Sequence, residues 1–216
     1  MKSEKHDGLR DVHLFVLDSM ADWEPAFAIA HINRPAPGMA SEYRVKTVGI
    51  DGKMVRSMGG LSIQPDMSLD ELVPGKSSML ILPGSELWAE PITDPALAKA
   101  RDFADSGVPV AAICGAVFGL ARVGLLDHCR HTGNDPNWLA SSGYGGTAHY
   151  VQEPAIEDGG MITASVTASL EFARLILGRL GIFSLPTLNA WYNLYKTGDP
   201  KYYFAFMEAL GHEAVK

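Results

Sequence analysis

The chain of 216 residues has only two cysteines, Cys114 and Cys129. Two thiols cannot build the disulfide framework that staples small secreted domains, and the count suits a reducing, cytoplasmic compartment. Long apolar runs are also missing. No stretch approaches the ~20 residues of a transmembrane helix, and Met1 to Arg10 is charged, without the apolar h-region of a secretory signal. Positive charge is scarce: 18 Lys and Arg face 25 Asp and Glu, for a net charge of −7. That balance argues against nucleic acid or an anionic membrane as the main partner. The seven histidines form no basic tract, and no internal repeat, low-complexity segment or proline-rich linker divides the chain. One domain over residues 1–216 is expected.

What is present is alternation. Val12 to Leu17 reads as a buried first strand, short, apolar and rich in β-formers. A helix from Pro25 to about Asn33 follows, with Glu24 before the proline in a cap-like conformation. Tyr43 to Ile50 alternates as a second strand, and Asp51-Gly52 and Gly59-Gly60 mark turns around a small β excursion over 53–65. Met79 to Leu82, Val110 to Cys114 and Met161 to Ala164 read as further core strands, with a weaker one around His149 to Gln152. Between them lie helical segments at about 94–106, 115–123 and 167–180, the last with Leu170, Ala173, Leu177 and Leu180 on one stripe. Strands alternating with helices at this spacing imply an α/β fold, a mostly parallel sheet covered on both faces. Beyond Ile182 the chain is aromatic-rich and helical in spacing, packing on its own core or on a partner subunit.

The run Val110-Ala111-Ala112-Ile113-Cys114-Gly115-Ala116 places a cysteine at a strand-to-helix turn. Helix N-terminal amides there favour an anion, so the thiolate is expected to be stabilised, and the small residues allow a nucleophile elbow. The alternative is a buried structural cysteine. In a parallel sheet, ligands bind at the carboxyl ends of the strands. The Asp22–Glu24 turn, the Pro83-Gly84-Ser85 turn and Cys114 all fall there. Cys114 is then the candidate nucleophile, the amides of Gly115 and of Ser85 or Gly84 the candidate oxyanion hole, and Glu24 the group that holds the sulfur or shuttles its proton. Against this, Pro-Gly-Ser is a common turn, and a glutamate also favours a helix N-terminus on its own account.

Glu24 after strand one, Leu82-Pro83-Gly84, Ala112-Ile113-Cys114-Gly115-Ala116, Asp158-Gly159-Gly160-Met161-Ile162-Thr163 and Leu170-Glu171-Phe172-Ala173 form an ordered set. Over residues 11 to 181 it resembles the DJ-1/PfpI superfamily of class I glutamine amidotransferase-like proteins. The resemblance implies a flavodoxin-like three-layer sandwich, a cysteine at the elbow and a homodimer, with 182–216 as a helical extension. It also marks departures. Where many members carry a histidine after the elbow helix, the segment reads Arg130-His131-Thr132-Gly133-Asn134-Asp135, and Asn134 takes the histidine's place. An asparagine orients a substrate or donates a hydrogen bond, but it is no general base near neutral pH. Ser85 stands where a second glycine is usual, with its amide still available.

Trp23 and Trp88 flank the two turns, as an apolar lid over the thiol or as caps on the core edge. His128-Cys129-Arg130-His131 is too closely spaced for a tetrahedral zinc site, and Gly143 to Gly146 lacks the setting of a phosphate cradle. No metal and no cofactor is expected. Three functions fit: a cysteine enzyme acting on a small molecule, a redox sensor or stress-protective protein, and a non-catalytic binding module. For the first, the family arrangement without a histidine implies hydratase or lyase chemistry on isocyanides or 2-oxoaldehydes, or residual amidase-type hydrolysis.

Overall fold

The computed structural model describes residues 8–213. Its centre is a seven-stranded sheet. The strands are β1 (Arg10–Phe15), β2 (Tyr43–Gly49), β5 (Met67–Ser68), β6 (Leu80–Leu82), β7 (Val110–Ile113), β8 (Ala155–Asp158) and β9 (Met161–Ala164), in the order β5-β2-β1-β6-β7-β9-β8. A separate two-stranded ribbon, β3 (Val55–Arg56) and β4 (Ser62–Ile63), forms the β excursion. All pairings in the main sheet are parallel except that of β8 with β9. Parallel strands are covered on both faces, which is why β7 is apolar throughout and buried at every position.

The sheet winds outward in both directions from β1. One crossover, α1 (Trp23–Asn33), leads to β2; another, α2 (Asp94–Asp105), leads from β6 to β7. Right-handed crossovers in opposite directions put these helices on opposite faces. Accordingly α1 packs with α5 (Ser169–Leu180), and α2 with α3 (Gly115–Arg122). The inward face of α2 is Ala96, Leu97, Ala100 and Phe103, all buried at helical spacing. The strand order reverses between β1 and β6, so their carboxyl ends open the crevice in which α/β sheets bind ligands.

Two local expectations change. The segment His149 to Gln152 is not a strand: Thr147–His149 is a 3-10 turn, and Tyr150 makes a single bridge to His131. The edge beside β9 is instead taken by β8, folded back through Gly159 and Gly160, both at positive φ. Glu24 lies within the first turn of α1 rather than before it. A short helix, α4 (Pro136–Ala140), follows Asn134. Asp135 caps it by accepting from Trp138 N–H at 2.8 Å, and Pro136 takes the first position, a start signal legible in the residues themselves.

The aromatic tail forms α6 (Leu185–Thr197) and α7 (Pro200–Glu213), turned at Gly198 (φ 68°). Trp191, Phe183 and Phe206 are buried within the chain, whereas Tyr203 and Phe204 face outward. Among the described residues no helix is long and apolar enough to cross a membrane.

Candidate active site

Cys114 closes β7 with φ 58° and ψ −122°. A positive φ in a non-glycine residue costs about 1–3 kcal/mol and persists only where the surroundings impose it. Here they do. Cys114 N–H is bound to Ala164 O at 3.0 Å, and α3 starts at the next residue. The turn is cramped enough that two glycines are obligatory. A Cβ on Gly115 would lie 2.5 Å from Ser85 O. One on Gly84 would lie 2.6 Å from Glu24 Oε2 and 2.9 Å from the Cys114 Cβ. Carboxyl, thiol and the Gly84 turn therefore occupy one small volume.

Glu24 reaches this volume from the first turn of α1 and has no solvent exposure. Its Oε2 accepts from Gly84 N–H at 2.5 Å. Its Oε1 has no well-aligned donor, and the side chain that bears on the carboxyl is the Cys114 thiol. A buried carboxylate with one lone oxygen is poorly solvated. Burial raises its pKa to about 7, against the smaller opposing pull of Gly84 N–H and the thiol.

The thiol does not behave as the elbow alone suggests. Burial, with the negative charge of Glu24 adding to it, pushes Cys114 up to about 11, although Asn134 and the Gly115 amide pull the other way. The expected helix-end stabilisation is present but outweighed. Such a pair shares its protons, and its titration belongs to both groups together.

Asn134 stands on the other side of the sulfur. Its Nδ2 donates to Cys114 Sγ at 3.3 Å, and its Oδ1 accepts from Val166 N–H at 2.8 Å. The second contact decides the first: a backbone N–H needs the carbonyl oxygen, so the NH2 is turned to the thiol. The segment is pinned one turn earlier, where Thr132 N–H donates to Thr163 Oγ1 of β9 at 2.9 Å. No sequence pattern pointed to Thr163 or Val166 in this role.

The remaining candidates divide. Gly84 belongs to the site, but its amide is already given to Glu24, so it is not an oxyanion donor. Ser85 N–H has no protein acceptor among the described residues. The Ser85 hydroxyl contacts Ser19 Oγ at 2.8 Å and caps the following 3-10 turn through Leu87 N–H at 3.1 Å. Trp88 is no lid. It is 1% exposed, donates to Pro83 O at 2.7 Å and packs on Phe15, beneath α3. Trp23 is 49% exposed, beside the β3–β4 ribbon. His131 is fully buried and turned away: Nδ1 meets Cys129 O at 2.9 Å and Nε2 meets the Tyr144 hydroxyl at 2.8 Å.

The model of the DJ-1/PfpI family matches residues 10–179. An uncharacterized protease of Bacillus subtilis (strain 168), YoaZ, is 42% identical over 205 residues, which are 93% of this chain and 98% of that protein. The crystal structure of a ThiJ/PfpI family protein from Bacillus anthracis superposes with a TM-score of 0.88 at 39% identity, covering 94% of this chain and 98% of that one. A DJ-1 superfamily protein from Agrobacterium tumefaciens gives 0.77 at 33% identity, over 87% of this chain and 97% of that one. With its parallel sheet, its cysteine elbow and a family match over most of its length, the chain belongs to the DJ-1/PfpI family.

Proposed function

We propose that the protein is a cysteine-dependent enzyme acting on a small electrophilic carbonyl or amide-like substrate, with Cys114 as nucleophile and Glu24 as its proton partner. The observation that carries this reading is the placement of a lone buried carboxylate oxygen beside the thiol, at a pKa near neutrality. A base is most effective when its pKa lies near the working pH. As Sγ bonds to the carbonyl carbon, the C=O pair moves to oxygen and the thiol proton passes to the Glu24 carboxylate. The amides of Gly115 and Ser85 meet the oxyanion, and Glu24 then returns the proton to a leaving amine, after which water releases the acyl group from sulfur as a carboxylic acid. With a 2-oxoaldehyde it returns the proton to the oxyanion, the former aldehyde hydrogen moves to the neighbouring carbonyl carbon, and water releases the resulting thioester as the 2-hydroxy acid. Asn134 supports the sulfur through Nδ2 but takes no proton. A 2-oxoaldehyde suits the arrangement because its adjacent carbonyl raises the electrophilicity of the carbon that the sulfur attacks.

The test is the pH dependence of Cys114 alkylation by iodoacetamide, followed by peptide mass spectrometry, alongside turnover of phenylglyoxal. Wild type should show an inflection near pH 7 from the shared proton, and Glu24→Gln should lose it. Cys114→Ser should abolish turnover. A single ordinary thiol titration, unchanged by Glu24→Gln, would count against the assignment. A peroxide-sensing role ranks second, because oxidation follows thiolate character and the thiol here is held protonated.

Trp23, Met54, Met58 and Leu61 are all about half exposed or more beside the site, on α1 and the β3–β4 ribbon. Trp23, Met58 and Leu61 line one shallow hollow there. We assign this apolar patch to a homodimer contact. Light scattering of Leu61→Glu should then show the monomer mass where wild type shows twice that value.

A further inference from the structure

The site just described lies at the carboxyl ends of the strands. At the opposite end of α1, a helix of about 16 Å, a second cavity opens, of about 710 Å³. It is bounded by the end of α1, by the loop from Arg34 to Met39, and by α6 and α7. The last two helices lie beyond residue 179, where the family match ends. The volume falls in the range of small-molecule pockets.

Its inner wall is a fixed aromatic cluster. Trp191, 1% exposed, donates Nε1–H to His31 Nε2 at 2.9 Å, and His31 Nδ1 meets Phe27 O at 2.8 Å. Since a carbonyl oxygen only accepts, Nδ1 carries the proton and Nε2 is the acceptor. The imidazole is thus neutral, with both nitrogens used. Tyr195 packs on both rings, at 5.3 Å from Trp191 and 5.7 Å from His31. Phe206 of α7 packs at 5.6 Å on the buried Phe183.

Against this wall stands one charge. Arg34, exposed at the end of α1, is the only charged residue of the lining apart from the neutral His31. Among the described residues its guanidinium has no ion pair or hydrogen-bond acceptor, although the chain as a whole carries a net charge of −7. The phenol groups of Tyr195 and Tyr203 at the rim likewise have no hydrogen-bond partner there.

We infer that this cavity is a ligand site, distinct from the cysteine site, for a small aromatic monoanion such as an aryl carboxylate or sulfonate. The ring packs against Tyr195, which the buried Trp191 holds in place, Arg34 takes the anionic group in bidentate fashion, and the phenols complete its hydrogen bonds. A dianion would leave its second charge against a wall with no further cation, and a cation would meet Arg34.

The probe is 8-anilinonaphthalene-1-sulfonate, titrated by fluorescence, with neutral N-phenyl-1-naphthylamine as its uncharged counterpart. Wild type should bind the sulfonate saturably, one per chain. Arg34→Gln, at an exposed position, should weaken it about tenfold and leave the neutral probe unchanged. Leu194→Trp, which fills the cavity, should abolish both while the melting temperature stays within a few degrees. Alkylation of Cys114 should displace neither probe. Equal sulfonate affinity in wild type and Arg34→Gln would overturn the inference. So would absence of saturable binding, or displacement on Cys114 alkylation. A change of oligomeric mass in Leu194→Trp would assign the groove to a second copy of the chain instead.

Discussion

Glu24 and His131 are both fully buried titratable side chains, yet they are buried in opposite ways. Each nitrogen of His131 has a partner, a carbonyl on one side and the Tyr144 hydroxyl on the other. Glu24 satisfies one oxygen with Gly84 N–H and leaves the other facing a thiol. Burial lowers the His131 pKa, and its two hydrogen bonds fasten the segment that carries Asn134. Burial raises Glu24 towards neutrality and leaves it a proton to exchange. The lesson is that completed hydrogen bonds make a buried polar group structural, whereas an incomplete set next to a nucleophile makes it chemical.

The comparison breaks hardest at Gly84. Gly84→Ala forces a methyl group against Glu24 and Cys114 and should cost about 3 kcal/mol in denaturant unfolding. Gly75→Ala, where a Cβ meets nothing within 4 Å, should be near neutral. Equal stabilities for the two variants would show that the site is not tightly packed.

Glu24→Gln sharpens the electrostatic half. The folded pKa, about 7, lies above the ordinary value of 4.5 for a glutamate. The stability this contributes is therefore complete below about pH 4.5 and is lost as pH rises through 7. A shift of this size corresponds to about 3 kcal/mol at most. Wild type should lose stability from pH 5 to pH 8 relative to Glu24→Gln, as read by urea midpoints. Parallel curves would refute the raised pKa.

Tyr144→Phe tests the structural half. It strands His131 Nε2 and should cost about 1–2 kcal/mol, while the Cys114 alkylation rate moves less than twofold. A large change in that rate would tie the histidine to the chemistry. The smallest effect belongs to Asn134→Ala, which removes the donor to sulfur together with the acceptor of the partly exposed Val166 N–H. Alkylation at pH 8 should slow about threefold to tenfold, the worth of one hydrogen bond, with the melting temperature little changed.

Much of the architecture was legible because it is written in local pattern. The β7 run, the α5 stripe and the Asp22–Glu24, Pro83–Ser85 and Cys114 turns all announce themselves over short stretches of chain. The convergence of those turns follows from parallel topology. Less legible was anything settled by neighbours. His149 to Gln152 has strand composition but loses the sheet edge to β8, and whether Trp88 covers the thiol or the core was open until its packing on Phe15 decided for the core. Glu24 enters the helix although a residue before proline disfavours that conformation, with its side chain held by Gly84 N–H sixty positions away.

By itself, the order of residues determined the fold class and which side chains reach the carboxyl ends of the strands, because hydrophobic period and turn chemistry act over short range. The tertiary structure alone decided their chemical states. Whether Glu24 keeps an unpaired oxygen, which way the Asn134 amide turns, and whether the thiol is raised or lowered depend on desolvation and on donors such as Val166 N–H. The cavity under α6 and α7 likewise exists only once those helices dock on α1. Electrostatics and packing are properties of three-dimensional surroundings, and no spacing along the chain encodes them.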